Sequence, residues 1–212
     1  MKNVAVVLNV LARKQGKTML AKISKRHSAF QTLISTILSA RAKDEVTEVI
    51  SKKLFKKYPD AKSLAKARLS DVKKIIKPIG FYNNKAENII KTAKILVRDF
   101  GSKVPDNMQD LVKLSGVGRK VASCVLVYAF NKPALPIDTH VHKIANRLGW
   151  VRTKTPEQTE KALEKIVPKR FWLILNDVFV QLGKTICLSR NPKCSICPIR
   201  KYCKRVGVNK AL

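Results

Sequence analysis

Apolar residues recur at helical spacing along almost the whole chain, and this pattern restricts the fold more than any other feature. Three stripes are clear before residue 101, and two more follow residue 140. Their members are Phe30, Leu33, Ile34, Ile37, Leu38; Val46, Val49, Ile50, Leu54; Ala86, Ile89, Ile90, Ala93, Leu96, Val97, Phe100; Val141, Ile144, Ala145, Leu148; and Phe171, Leu175, Val178, Phe179, Leu182. No segment shows the strict apolar–polar alternation of a half-buried strand. We therefore predict an all-α fold.

The first residues predict a packed helix rather than a secretory signal. Val4, Val7, Leu8 and Leu11 share one helical face, Asn9 interrupts the apolar run, and no small-residue cleavage site follows. No stretch approaches the roughly 18 apolar residues of a membrane span. We expect an intracellular protein.

The charge balance favours a polyanionic partner. The 212 residues carry 44 Lys and Arg against 14 Asp and Glu, a formal net charge of +30 that is spread along the chain rather than confined to a tail. A field of this sign attracts nucleic acid. The alternative is a generally basic protein with no such partner.

Four of the five cysteines fall close together, with the spacing C-x6-C-x2-C-x5-C, at Cys187, Cys194, Cys197 and Cys203. In an intracellular protein this pattern favours a metal site over disulfides. Four thiolates suit zinc or an iron–sulfur cluster. One close pair flanked by two single cysteines favours the cluster and leaves zinc open. Cys124, inside an apolar run, is expected to be a core residue.

The loop between the first two cysteines carries Arg190 and Lys193. If metal–cysteine bonds fix the shape of this loop, its outward-facing cations suit contact with phosphate groups. The alternative interpretation is a solvated basic segment beside a structural metal.

The segment "LSGVGRKVA" predicts two helices joined by a glycine turn. Gly116 and Gly118 permit positive φ and close approach, and N–H groups after such a turn can bind a phosphate oxygen. We predict that Gly116, Val117, Gly118 and Arg119 contact DNA in this way, although a glycine turn between helices is often a turn and nothing more.

Together these motifs resemble the endonuclease III family of iron–sulfur DNA glycosylases. The resemblance spans about residues 25 to 205, through "LISTILSARAKD", "IGFYNNKAENI", "LSGVGRKVA", "IDTHVHKIANRLG" and the four-cysteine segment. It implies a two-lobed helix-hairpin-helix fold with a C-terminal cluster loop. Residues 22–132 would form a six-helix domain, and residues 1–21 with 133–212 a second helical domain.

The resemblance also implies the chemistry. The four cysteines would hold a [4Fe-4S] cluster, Lys120 and Asp138 would be the catalytic pair facing one cleft, and the substrate would be duplex DNA with damaged bases or abasic sites. We expect a monomeric glycosylase and abasic-site lyase that removes oxidised pyrimidines in the cytoplasm or nucleoid of a prokaryote. A monofunctional mismatch or uracil glycosylase, and a non-catalytic DNA-binding hairpin module, are the alternatives.

The two catalytic candidates have physical support. A lysine amine attacks only when neutral, and we expect partial burial, the neighbouring Arg119 and the helix N-terminus to disfavour the protonated Lys120. Asp138 precedes "THVHK" and also suits a helix N-cap, a role that is compatible with catalysis. His140 and His142 are expected to be structural residues or phosphate contacts, with His140 counted among the DNA-binding residues.

The resemblance places a DNA wedge at Arg41 and Phe81. A damaged base must leave the stack before it can react, and a side chain then fills the gap. Phe81 in "GFYNN" suits insertion between base steps. The alternative is that Phe81 is an aromatic residue at the edge of the hydrophobic core. Arg41 departs from the family, which usually has glutamine in this segment, and this leaves the opposite-base preference open.

Overall fold

The computed structural model describes residues 3–14 and 28–212. Within these ranges the chain forms eleven α-helices, two short 3-10 helices at Lys169–Phe171 and Arg200–Tyr202, and no strand, so the predicted all-α class is confirmed. In chain order the α-helices are α1 (Val4–Lys14), α2 (Ala29–Ser39), α3 (Asp44–Lys57), α4 (Ala61–Ala65), α5 (Leu69–Ile76), α6 (Tyr82–Asp99), α7 (Met108–Leu111), α8 (Arg119–Phe130), α9 (Thr139–Arg147), α10 (Pro156–Glu164) and α11 (Trp172–Thr185).

The chain divides into two compact units. The central unit comprises residues 19–132, and the terminal unit combines residues 1–18 with 133–212. The predicted boundary between residues 21 and 22 lies outside the described residues. The described part of the central unit contains seven helices, α2 to α8, of which α4 and α7 span five and four residues.

The central unit is built around α2. This helix begins at a capping box, in which the Ser28 hydroxyl accepts from the Gln31 N–H at 3.2 Å and the Gln31 side chain accepts from the Ser28 N–H at 3.3 Å. Its apolar stripe is buried, and it packs against α3, α6 and α8. Among the residues of the predicted stripes, Val49 and Val97 have exposed side chains and are therefore not part of the core.

The terminal unit has its own apolar core. The four predicted α1 residues are buried with α9, α10 and α11, and the rings of Trp150 and Phe179 pack at 5.5 Å. These contacts fix α9, which has the predicted aspartate, Asp138, as its N-cap. No helix of the described residues is long and apolar enough to cross a membrane.

Candidate functional site

The predicted glycine turn joins α7 to α8 in the central unit. Leu114 and Val117 are buried on its inner side, and Gly116 has φ +76°, a left-handed conformation that favours glycine. The Val117 N–H donates to the Leu114 carbonyl at 3.1 Å. DNA contact is predicted for Val117, but its N–H is used within the turn and its side chain is in the core, so it stabilises the turn instead.

Two residues of α6, Asn88 and Thr92, hold this turn, and the sequence analysis assigned a role to neither. The Thr92 hydroxyl donates to the Ser115 carbonyl at 2.7 Å, and the Ser115 hydroxyl donates to Asn88 Oδ1 at 3.0 Å. A Cβ on Gly116 would lie 3.0 Å from the Cβ of Asn88. Thr92 is fully buried within an apolar helix face, and a polar residue at such a position is the signal that points to a partner elsewhere.

The N-terminus of α8 is open on its outer side. Gly118 is the N-cap and has no side chain that accepts from the first-turn N–H groups. A Cβ built on Gly118 would meet no heavy atom within 4 Å. The turn therefore presents backbone N–H groups next to space that an anionic oxygen can fill.

Lys120 lies in this first turn of α8, and its side chain is exposed. The partial burial expected for Lys120 is wrong, because the core-facing residues of α8 begin at Ala122. Arg119 precedes it in the chain, and its backbone lies at the N-terminal end of α8.

Asp138 is the N-cap of α9 in the terminal unit. Its Oδ1 accepts from the N–H groups of His140 and Val141, both at 2.9 Å. The capping role considered for this residue is therefore confirmed. Both bonds end on one carboxylate oxygen, so the cap fixes the orientation of the group while Oδ2 makes no hydrogen bond within the described residues.

The two histidines of α9 are held by packing and hydrogen bonds. The His140 ring lies against Gly183 of α11, where a Cβ would come within 2.8 Å of its Cγ. His142 Nδ1 is 2.6 Å from the Thr159 hydroxyl, which in turn is 2.6 Å from the Thr153 hydroxyl. These contacts are structural, and DNA contact by His140 stays a prediction.

Lys143 lies on α9, five residues after Asp138, within the segment "IDTHVHKIANRLG", and the sequence motifs assigned it no role. Burial lowers the pKa of Lys143, the Cys187 thiol partly opposes this shift, and Arg147 adds to it, while Asp138 acts to raise the pKa. Its ammonium group donates to the Ser189 hydroxyl at 3.3 Å. The first turns of α9 therefore present a cation and a carboxylate together.

The four clustered cysteines line one cavity in the terminal unit, and none of the five cysteines of the chain forms a disulfide. The cavity walls are completed mostly by apolar side chains, with Ile144, Leu148, Leu182, Ile186 and Ile199 among them. Burial raises the pKa of the Cys197 and Cys203 thiols, so a metal must displace their protons when it binds.

The donor set fits a multi-iron cluster better than a single ion. Four thiolates around one zinc ion at about 2.3 Å would converge on a single point. In the described part of the chain, no three His, Cys, Asp or Glu side chains converge closely enough to hold one metal ion. Thiols that surround a cavity instead suit a cluster in which each cysteine binds a different iron.

Arg147, a buried cation on α9, holds the start of the cysteine loop. Its guanidinium donates to Cys187 Sγ at 3.3 Å and to the carbonyls of Leu188 and Ser189 at 2.7 and 2.9 Å. Such donors stabilise a thiolate ligand. In the sequence, Arg147 stands directly beside the apolar stripe of α9. This position indicates that its charge needs hydrogen-bond acceptors within the protein, but it does not identify them.

The two predicted phosphate contacts of the cysteine loop, Arg190 and Lys193, are both exposed, as a phosphate contact requires.

The predicted wedge residues come together in the central unit. Phe81 is 63% exposed, which excludes a role as an edge-of-core aromatic. The Arg41 guanidinium carbon lies 5.8 Å from the centre of the Phe81 ring. Exposed apolar and cationic groups at one point suit insertion into a base stack.

Comparison with known proteins agrees with these features. Residues 34–169 match the family model of HhH-GPD superfamily base excision DNA repair proteins, and residues 187–203 match that of the iron–sulfur binding domain of endonuclease III. The chain is 49% identical to endonuclease III of Thermotoga maritima over 180 residues, which cover 85% of this chain and 84% of the relative.

Two solved structures extend the similarity to three dimensions. One is a non-covalent endonuclease III–DNA complex, with a TM-score of 0.87 and 32% identity over 96% of this chain and 94% of the other. The second is a trapped covalent endonuclease III–DNA intermediate, with a TM-score of 0.82 and 32% identity over 97% of each chain. The fold and the cysteine loop are thus those of iron–sulfur DNA repair proteins.

Proposed function

Because this chain belongs to the endonuclease III family of HhH-GPD base excision DNA repair proteins, we propose that it both excises a damaged base and cleaves the abasic site. The chain is a DNA-binding glycosylase that carries an iron–sulfur cluster, as the family and the cysteine loop show. The lyase step, the lesion class and the roles of individual residues are parts of the proposal.

The lysine at position 120 is the observation that carries the lyase step. It lies in the first turn of α8, two residues after the N-cap Gly118, which has open space around it. In this family the hairpin lysine is the nucleophile, and the mismatch-specific and adenine-specific branches have another residue there. An exposed amine beside N–H groups that bind phosphate is placed to meet the sugar of the same strand.

The chemistry follows from an amine and a carboxylate acting on one nucleotide. The Lys120 nitrogen forms a bond to C1′ of the deoxyribose as the glycosidic bond breaks, and the bond electrons leave with the base, which takes up a proton. The nitrogen loses a proton, its lone pair forms the double bond to C1′, and the ring oxygen leaves C1′ as a hydroxyl, which gives a Schiff base. Removal of a C2′ proton then expels the 3′ phosphate oxygen, which breaks the strand on the 3′ side.

Asp138 supplies the carboxylate. Its Oδ1 is committed to the N-terminus of α9, and Oδ2 remains for the reaction. A carboxylate held in this way accepts a proton from the attacking amine or stabilises the positive charge that develops on the sugar. We assign it both functions, with the helix cap as the part that fixes its orientation.

The DNA-contact residues complete the proposal. The turn formed by Gly116 and Gly118, which is open at Gly118, binds a backbone phosphate. Arg41 and Phe81 fill the space left by an extrahelical nucleotide, and Arg190 and Lys193 hold the strand electrostatically. The substrate is an oxidised pyrimidine in duplex DNA, the enzyme acts as a monomer, and it works in the cytoplasm or nucleoid of a prokaryote.

The iron–sulfur cluster is assigned a structural role at Cys187, Cys194, Cys197 and Cys203. When bound, it joins four distant points of one loop through metal–thiolate bonds. Arg147 and the apolar side chains around the cavity support these ligands. The loop thereby acquires a fixed shape that directs Arg190 and Lys193 outward.

Borohydride trapping tests the proposal. The wild-type chain should form a covalent adduct with abasic duplex DNA, because borohydride reduces a Schiff base, and the Lys120→Gln variant should form none while it still binds the duplex. Lys94→Gln, which removes an exposed lysine of α6, is the matched control and should trap normally. Base release by the wild-type chain without nicking or trapping would instead show a monofunctional glycosylase, and no base release would show a DNA-binding module.

A further inference from the structure

Two non-glycine residues in left-handed conformation lie next to each other in the central unit. Arg41 has φ +54° and Phe81 has φ +59°. This conformation is uncommon for large side chains and persists where the surrounding structure enforces it. The turn that contains Arg41 and the turn that contains Phe81 are in contact, because a Cβ on Gly80 would lie 3.6 Å from the Arg41 carbonyl oxygen.

One residue is bonded to both turns. Lys85 is in the first turns of α6, where its backbone N–H donates to the Phe81 carbonyl at 3.1 Å. Its ammonium group donates to the Leu38 carbonyl at 2.9 Å and to the Ala40 carbonyl at 2.6 Å. Leu38 lies in the last turn of α2, and Ala40 immediately precedes Arg41. The main chain on one side and the side chain on the other thus connect the two turns.

The surroundings of Lys85 explain why it holds a fixed position. It is the only buried lysine in the described part of the chain, at 7% exposure, and no carboxylate of the described residues pairs with it. Burial lowers its pKa. A buried ammonium group is costly unless hydrogen bonds compensate it, and here the carbonyls at the negative end of α2 do so. Movement of residue 40 would break these bonds and leave the charge without partners.

We propose that Lys85 is the positioning residue that holds Arg41 and Phe81 together as one two-part wedge. This inference rests on the proposed function, in which those side chains fill the gap beside the extrahelical nucleotide. The Phe81 ring supplies the apolar surface for stacking, and the Arg41 guanidinium over it supplies donors alone. A fixed donor group prefers guanine, whose O6 and N7 accept, as the base opposite the lesion.

Binding to a non-reactive abasic analogue tests the inference separately from catalysis. The duplexes contain tetrahydrofuran opposite dG or dA, or are undamaged, and Kd is measured for each. Because tetrahydrofuran cannot form a Schiff base, the measurement does not depend on Lys120 chemistry. We expect the wild-type chain to prefer the tetrahydrofuran duplexes, and to prefer dG over dA by about fivefold or more.

The Lys85→Met variant keeps the side-chain stem and removes the ammonium group. We expect its preference for the tetrahydrofuran duplex to fall about tenfold, because misplacement of a contacting group is costly. Its affinity for undamaged DNA should match that of Lys94→Met, an exposed lysine of the same helix. In an Arg41→Ala/Phe81→Ala background, Lys85→Met should cause no further loss of preference.

A double-mutant cycle on Arg41 and Phe81 provides a second test, which does not require the Lys85 variant to fold. Arg41→Met and Phe81→Leu, singly and together, should show a coupling of about twofold to fivefold in the affinity for tetrahydrofuran duplexes. Additive effects, or unchanged preference in Lys85→Met, would overturn the inference while borohydride trapping by Lys120 leaves the proposed function intact. A wild-type chain that traps abasic DNA but shows no tetrahydrofuran preference would overturn it as well.

Discussion

Asn88 of α6 lies against Gly116 of the hairpin turn so closely that a Cβ on the glycine would be 3.0 Å from the asparagine Cβ. The same asparagine accepts from the Ser115 hydroxyl at 3.0 Å. Helix α6 therefore fixes the shape of the turn from one side, while the other side of the turn, at Gly118, faces open space. The two glycines have different functions, and substitution separates them.

Gly116→Ala should destabilise the chain by about 1–3 kcal/mol, because a positive φ and the contact with Asn88 both oppose a Cβ. Gly118→Ser should change the free energy of unfolding by less than about 0.5 kcal/mol, since serine is a good N-cap. Its hydroxyl would nevertheless occupy the first-turn N–H groups of α8 and weaken DNA binding. Chemical denaturation and Kd for duplex DNA measure the two effects, and normal DNA affinity in Gly118→Ser would argue against phosphate binding at this turn.

Asp138→Asn should separate catalysis from capping. Asparagine caps a helix about as well as aspartate, so stability should change by less than about 0.5 kcal/mol, while loss of the charge should reduce base excision by about 100-fold or more. Thr155→Ala is the matched control, because the Thr155 hydroxyl caps α10 by accepting from the Gln158 N–H at 3.3 Å. That variant should lose about 1 kcal/mol of stability and keep its activity. Full activity in Asp138→Asn would contradict a catalytic role and leave helix capping as the function of Asp138.

Gly183→Ala should destabilise the terminal unit through His140. Alanine is the better helix former by about 1 kcal/mol, but the new Cβ would overlap the imidazole ring, and overpacking costs about 1–3 kcal/mol. The double variant Gly183→Ala/His140→Ala removes the overlap and should recover stability relative to the single variant. Thermal unfolding of both proteins measures the difference, and equal Tm values would mean that the ring moves aside freely.

Cys194→Ser should abolish or strongly reduce the visible iron–sulfur absorbance of the purified protein. Cys194 is one of four thiols around the cavity, whereas Cys124 is buried within α8 in the other unit. Cys124→Ala should keep the colour and the iron content and lose about 1–2 kcal/mol of stability through the cavity it leaves. Iron analysis and absorbance check both variants. Colourless wild-type protein with stoichiometric zinc would contradict the cluster.

The start of α10 shows how much of the local structure a short sequence motif determines. The segment "TPEQ" predicts a capping box at the start of α10, and Thr155 does cap Gln158. The Gln158 side chain, however, accepts from the Lys154 N–H at 2.9 Å rather than from Thr155. The residue types determined where the helix begins, while the conformation of the preceding loop decided which N–H group the glutamine reaches.

Features that depend on neighbours in the chain were evident from the residues alone. Helical stripes, the glycine turn, the Asp138 cap and the cysteine spacing involve residues a few positions apart, and local geometry relates them directly. The all-α class, the family and the iron–sulfur cofactor followed from these motifs and are confirmed. The roles of Lys120, Asp138 and the DNA-contact residues other than Val117 stay predictions.

The three-dimensional fold alone decided which distant residues meet. Lys85 bonds to carbonyls 45 and 47 positions away, Arg147 bonds to a thiol 40 positions away, and Asn88 lies against a turn 27 positions away. The exposure of Lys120 and the internal use of the Val117 N–H were likewise not evident from periodicity. Such contacts depend on how whole helices pack, and packing is set by many side chains together rather than by the spacing of a few.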